Sequence, residues 1–187
     1  MELKGQQRIA ASREKVFEAL NDPEILQQSI PGCQSLNKVS DTELEAKVGL
    51  KIGPVKANFD GQVTLSDLNP PESYTISGEG KGGSAGHAKG SAKVRLTEDG
   101  DGTLLDYDVN AAVGGKLAQL GARLIDSTAK RLAQQFFTKF GELVEGGEPA
   151  GVQSETSSEI EKSGSNQTLW WVIAAIVVLI VGYILFV

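Results

Sequence analysis

An α+β fold, with an antiparallel sheet of about seven strands curved around one long C-terminal helix, is the class predicted for residues 1–145. Three observations predict it. Along most of this region apolar and polar residues alternate, the period of a strand buried on one face. The breaks between these runs, at Gly53-Pro54, Asn69-Pro70-Pro71 and Asp99-Gly100-Asp101-Gly102, are too short to be crossovers, so consecutive strands must run antiparallel. Toward the end of the region the apolar residues switch to spacings of three and four, the period of an amphipathic helix.

The elements follow in order. Leu3 to Ile9 forms a first strand. Ser12 can cap the helix SREKVFEALND, in which Glu14 suits the positive end of the dipole and Val16, Phe17, Ala19 and Leu20 make the apolar face. A second short helix, PEILQQSI, stops at Pro31-Gly32, and Cys33 to Val39 is a second strand. Leu44, Ala46, Val48, Leu50 and Ile52 mark the third. Beyond the Gly53-Pro54 turn, Val55, Ala57, Phe59, Gly61, Val63 and Leu65 are the inward set of the fourth. Tyr74, Ile76, Gly78 and Gly80 belong to the fifth, and Ala88, Gly90, Ala92, Val94 and Leu96 to the sixth. Leu105, Tyr107, Val109, Ala111 and Val113 complete the sheet. The closing helix is expected from about Gly115 to Leu143, through Leu117, Leu120, Leu124, Thr128, Leu132, Phe136 and Phe140. One strand, two helices, six strands and a long helix is the helix-grip order.

Beyond this domain the composition changes twice. Residues 146–168, GGEPAGVQSETSSEIEKSGSNQT, have almost nothing to bury and read as a disordered tether. Such a coil has a root-mean-square span near 25 Å and a stretched limit of about 75 Å. Residues 169–187, LWWVIAAIVVLIVGYILFV, carry no charge. As a helix this segment would be about 28 Å long, close to the hydrocarbon thickness of a bilayer. Its insertion free energy sums to roughly −4 to −8 kcal/mol. Trp170, Trp171 and Tyr183 suit the two interfaces, where an amphipathic ring keeps its polar atom wet. With no apolar leader in MELKGQQRIAASREK, the expected arrangement is a single-pass tail anchor that holds the body at the cytoplasmic face of the cell membrane. The formal net charge of −6 excludes nucleic acid as a natural partner. The single cysteine, Cys33, rules out an internal disulfide.

The inward sets are short of volume in one region. Phe59 and Gly61, Gly78 and Gly80, Ala88, Gly90 and Ala92, and Ala111 leave little on the sheet, while Ala118, Gly121, Ala122 and Ala129 thin the first half of the helix. Its second half carries Phe136, Phe137 and Phe140 instead. Packed interiors resist such a deficit at roughly 24 cal/mol per Å³ of void, so an apolar ligand is expected there. Its lining would add Tyr74, Ile76, Tyr107, Val109, Leu117, Leu120 and Leu124 to these small residues. Catalysis has little to draw on. His87 is the one histidine and falls on the outward set, and one His with one Cys cannot bind zinc. The run Gly78-Glu79-Gly80-Lys81-Gly82-Gly83 matches G-x-G-x-x-G, but a strand follows it where a dinucleotide site needs a helix.

LKGQQRIAASREKVFEALNDPEIL, the Ile30-Pro31-Gly32-Cys33 turn, GPVKANFDGQVTLSDLNPPESY and GEGKGGSAGHAKGSAKVRL together resemble the family of the carbon monoxide dehydrogenase G subunit, within the START-like (SRPBCC) superfamily. The resemblance covers about Met1 to Leu143. It implies an accessory protein, not an enzyme, that serves a molybdenum-containing carbon monoxide dehydrogenase or a related molybdenum hydroxylase. It also implies recruitment of that enzyme to the membrane and binding of a respiratory quinone, ubiquinone or menaquinone, as a carried ligand with no covalent cofactor. The expected mechanism has the body take quinone from lipid and shield its tail between the sheet and the first half of the long helix. The head group is then presented to the docked enzyme. A pure recruitment scaffold and a polyketide-cyclase-type enzyme are the alternatives on the same fold.

Overall fold

The computed structural model describes residues 1–146. Its strands are β1 (Glu2–Ile9), β2 (Cys33–Lys38), β3 (Glu43–Ile52), β4 (Val55–Asn69), β5 (Ser73–Lys81), β6 (His87–Asp99) and β7 (Gly102–Gly114). They form one antiparallel sheet in the order β1-β7-β6-β5-β4-β3-β2. Helices α1 (Arg13–Ala19) and α2 (Pro23–Ser29) connect its two edge strands, and α3 (Ala122–Glu145) follows β7. This is the predicted seven-stranded sheet with its C-terminal helix. The predicted tether from residue 147 onward and the predicted span 169–187 lie outside the described residues. Among the described residues no helix is long and apolar enough to cross a membrane.

Local chemistry explains the punctuation. Ser12 accepts from the Lys15 amide at the start of α1. Asp22 accepts from Glu24 and Ile25, with Pro23 opening α2, so both helices begin on side-chain caps. Gly32 turns the chain into β2 with φ 76°, and a Cβ there would run into the Gly49 carbonyl. Glycine is required at that point because the Gly49 amide donates to the Gly32 carbonyl at 2.8 Å.

The long helix differs from expectation at its start. It begins at Ala122, not Gly115. Gly121, with φ 87° and ψ 147°, breaks the chain between a 3-10 turn over Ala118–Leu120 and α3. The preceding segment is held elsewhere, through the Leu117 amide donating to the Ala85 carbonyl at 3.0 Å. Leu117, Leu120 and Leu124 keep helical spacing across this break, which is why periodicity alone runs the helix through it.

The core sits toward the C-terminal end of α3. Ile9, Val16, Leu96, Leu105, Phe140 and Val144 are buried together. The Thr103 hydroxyl donates to the Ala11 carbonyl at 2.7 Å, and the Ala10 amide donates to the Glu145 carboxylate at 2.8 Å. The second of these contacts pins the last turn of α3 to the residue that follows β1. Because all of these core residues lie within residues 1–146, a chain ending at Gly146 should melt cooperatively at the temperature of the full chain. Circular dichroism during heating checks this, and a loss of cooperativity would show that later residues complete the core.

Candidate functional site: an apolar cavity between sheet and helix

Between α3 and the inner face of the sheet lies a cavity of about 450 Å³. From α3 it receives Leu132, Ala133, Phe136 and Phe137, one face at spacings of one, three and four residues. Phe140 and Val144, one and two turns further along, anchor the helix in the packed core. The sheet supplies Leu36, Leu44, Ala46, Val63, Leu65, Tyr74, Ile76, Ala92, Val94, Leu105, Tyr107 and Val109, and α2 contributes Leu26 and closes the side with Ile30. The wall is apolar apart from the two tyrosines and a polar rim of Asn21, Lys38 and Asp41. Lys38 and Asp41 pair at 3.3 Å.

Aromatic rings order one side of this space. Tyr107 stacks on Phe137 with centroids 5.3 Å apart and planes 24° from parallel. Phe136 stacks on Phe140 at 5.6 Å, and Phe17 meets Tyr74 edge to face at 5.7 Å. Such pairs hold their rings in place beyond what burial alone supplies. Tyr107 can lie flat because Gly5 stands opposite it in the register, where a Cβ would collide with the phenol. Burial pushes the Tyr74 phenol well above the usual tyrosine range, so it stays a neutral hydroxyl. Burial likewise pushes the Cys33 thiol up, which leaves it a poor nucleophile at the edge of the α2 contact.

The sixteen ligand-binding positions read from the sequence divide into three groups. Tyr74, Ile76, Ala92, Tyr107 and Val109 line the cavity. Gly61, Gly78, Gly80, Ala88, Gly90 and Ala111 lie on the same face but further along the strands, in the registers Gly61↔Gly80↔Ala88 and Gly78↔Gly90↔Ala111. Around a Cβ built on Gly80 there is nothing within 4 Å, and on Gly61 only backbone oxygens of the adjacent strands. Close approach of α3 is therefore not what makes these two positions glycine. The remaining five stand apart from the cavity. Phe59 covers Gly82, Leu117 is buried at 3% exposure beside Ala85, Leu124 meets the Gly53 turn, and Leu120 and Gly121 belong to the break before α3. The cavity thus lies under the middle of α3, not under the small residues of its first turns. The first turn of α3 meets the β3–β4 turn through Leu124, whereas its middle presents Phe136 and Phe137 to the cavity.

Sequence reading places Leu44, Val63, Leu132 and Phe136 on inward faces without assigning them to a site. Periodicity gives the face a residue occupies but not the distance to what it faces. The hollows on the outer face of the sheet, one bounded by Lys4, Lys93, Arg95, Asp106 and Asp108, are lined largely by charged and polar side chains.

The fold has clear counterparts. A conserved protein from Geobacillus kaustophilus matches with a TM-score of 0.74 and 31% identity, over 78% of this chain and 96% of its own. A START superfamily protein from Mycobacterium smegmatis matches with a TM-score of 0.54 and 18% identity, over 76% of this chain and 98% of its own. The di-domain ARO/CYC protein BexL of the BE-7585A biosynthetic pathway matches with a TM-score of 0.57 and 12% identity, over 78% of this chain and 50% of its own. The last two likenesses establish the fold alone. No curated protein matches the sequence. The family model for CoxG, the G subunit of carbon monoxide dehydrogenase, matches residues 5–145. With its START-like sheet, C-terminal helix and family match across nearly the whole described domain, this chain belongs to the carbon monoxide dehydrogenase CoxG family.

Proposed function

We propose that the protein is a quinone carrier for a molybdenum-containing carbon monoxide dehydrogenase or a related molybdenum hydroxylase, held at the cytoplasmic face of the membrane by residues 169–187. The observation that carries this reading is the apolar cavity with its two tyrosines and stacked aromatic wall. Its volume of about 450 Å³ falls within the roughly 300–1,000 Å³ of ordinary ligand sites. At about 30 Å³ per water-sized group, the space holds about fifteen heavy atoms. That accommodates a substituted quinone ring and the start of its tail, but not a long isoprenoid chain. The ring would lie against the Tyr107–Phe137 stack, with the tyrosine hydroxyls as donors to its carbonyls. The tail would leave along the band of Gly78, Gly80, Ala88, Gly90 and Ala111, where small residues leave a path between strands and helix.

In this scheme the chain makes and breaks no bond. It lowers the cost of moving an apolar molecule through water, and the tether keeps donor and acceptor at high effective concentration without a permanent complex. Native mass spectrometry of the protein purified from its own host tests the ligand, and a prenyl quinone is the expected occupant. Repeated preparations with an empty cavity would leave recruitment alone. Washing host membranes with alkaline carbonate tests the anchor, which should retain the full chain and release a chain ending at Gly146.

A further inference from the structure

We infer that the end of the body formed by the β3–β4 turn, the β5–β6 loop and the β7–α3 connection is a docking face for an anionic lipid surface. The inference rests on the reading that residues 169–187 hold the body beside a bilayer. Antiparallel pairing brings these three connections to one end of the sheet. Contacts bind them together, since Gly53 faces the Leu124 side chain and the Leu117 amide donates to the Ala85 carbonyl at 3.0 Å. Segments 51–56, 81–87 and 114–123 contain Lys51, Lys56, Lys81, Lys116 and Arg123, and no Asp or Glu. Lys81 pairs with Glu79 at 2.8 Å. The other four are exposed and form no ion pair among the described residues.

The opposite end has the reverse charge. Its three hairpin connections, 38–43, 66–73 and 97–103, hold Asp41, Glu43, Asp67, Glu72, Glu98, Asp99 and Asp101 against a single Lys38. Arg8 and Arg13 reach this end, in pairs such as Arg8–Asp99 at 2.9 Å and Arg13–Glu98 at 3.2 Å, and still leave it acidic. The body is therefore polarised along the strands, although the full chain carries a net charge of −6. Uniform acidity would repel an anionic bilayer, whereas a polarised body turns one end toward it. A tether of the predicted length, with a stretched limit of about 75 Å, would let that end reach the bilayer. Docking in this orientation turns the rim of Lys38 and Asp41 away from the lipid and toward a soluble partner.

The Geobacillus relative folds as a chain matched over 96% of its length by 78% of this one, so residues 1–146 are tested without the anchor. The measurement is sedimentation with vesicles of phosphatidylcholine alone or with phosphatidylglycerol added. Binding is expected only to the anionic vesicles, and it should vanish at 1 M salt, where the screening length falls to about 3 Å. Lys51→Glu with Lys116→Glu should weaken it at least about twenty-five-fold, from roughly fivefold for each basic residue removed from an anionic surface. Lys93→Glu with Arg95→Glu makes the same change in net charge on the outer face of the sheet and should have little effect. Equal losses from the two double variants, or equal binding to neutral and anionic vesicles, would overturn the inference. So would a body that ignores both vesicles yet binds a partner dehydrogenase through Lys51 and Lys116, since the face would then belong to an acidic protein. None of these outcomes bears on the carbonate wash or on the extracted ligand, so failure here is separable from failure of the carrier reading.

Discussion

Ala92→Trp should abolish quinone-coupled substrate oxidation by the partner enzyme while leaving membrane attachment and docking of that enzyme intact. Ala92 lies on the cavity wall, between Ile76 and Val109 in the strand register. An indole there would occupy more than half of the space left for a ligand. In a packed core such an insertion costs about 1–3 kcal/mol through displaced side chains. Here the cavity accepts the ring, so the fold should survive, and a thermal melt checks that it does. Oxidation measured with a soluble artificial acceptor should be unchanged, because the chemistry belongs to the partner. Equal quinone-coupled rates for a folded Ala92→Trp variant and the wild type would remove the carrier function and leave recruitment.

The sheet was legible because each strand announces its own inward face. Leu44 to Ile52, Val55 to Leu65 and Leu105 to Val113 alternate without interruption, and the Gly-Pro and Asp-Gly turns between them permit only hairpins. The position of the cavity was harder to read. Glycine at 61, 78, 80 and 90 marks missing volume, but it cannot tell an enclosed space from a path leading to one, because that depends on how far the helix stands from the sheet. Phe136 and Phe137, which line the cavity, carry only the sequence signal of an ordinary amphipathic face. The start of α3 was obscured for a related reason. Gly121 carries a positive φ, and a substitution such as Gly121→Phe, which would fill a cavity in a continuous helix, would instead be strained by the backbone whatever the space around it.

The contrast between two phenylalanines one turn apart, or nearly so, gives the largest expected change in stability. Phe140 is 0% exposed and packs in the cluster of Ile9, Val16, Leu105 and Val144. Phe140→Ala removes the transfer energy of a whole ring and leaves an enclosed void, a cost of about 3–5 kcal/mol. Against a total stability of roughly 5–15 kcal/mol for an ordinary domain, that leaves a marginal fold. Phe137 is half-buried and already faces open space on one side. Its loss should cost about 2 kcal/mol, roughly 1.5 for half of a ring's burial and roughly 0.5 for the stack on Tyr107. Phe137→Ala should in addition loosen ligand retention, whereas Phe140→Ala acts through the fold. Urea titration of both variants reads the difference directly. Equal destabilisation would mean that Phe137 is as tightly packed as Phe140, and the space between helix and sheet would then be too small to carry a ligand.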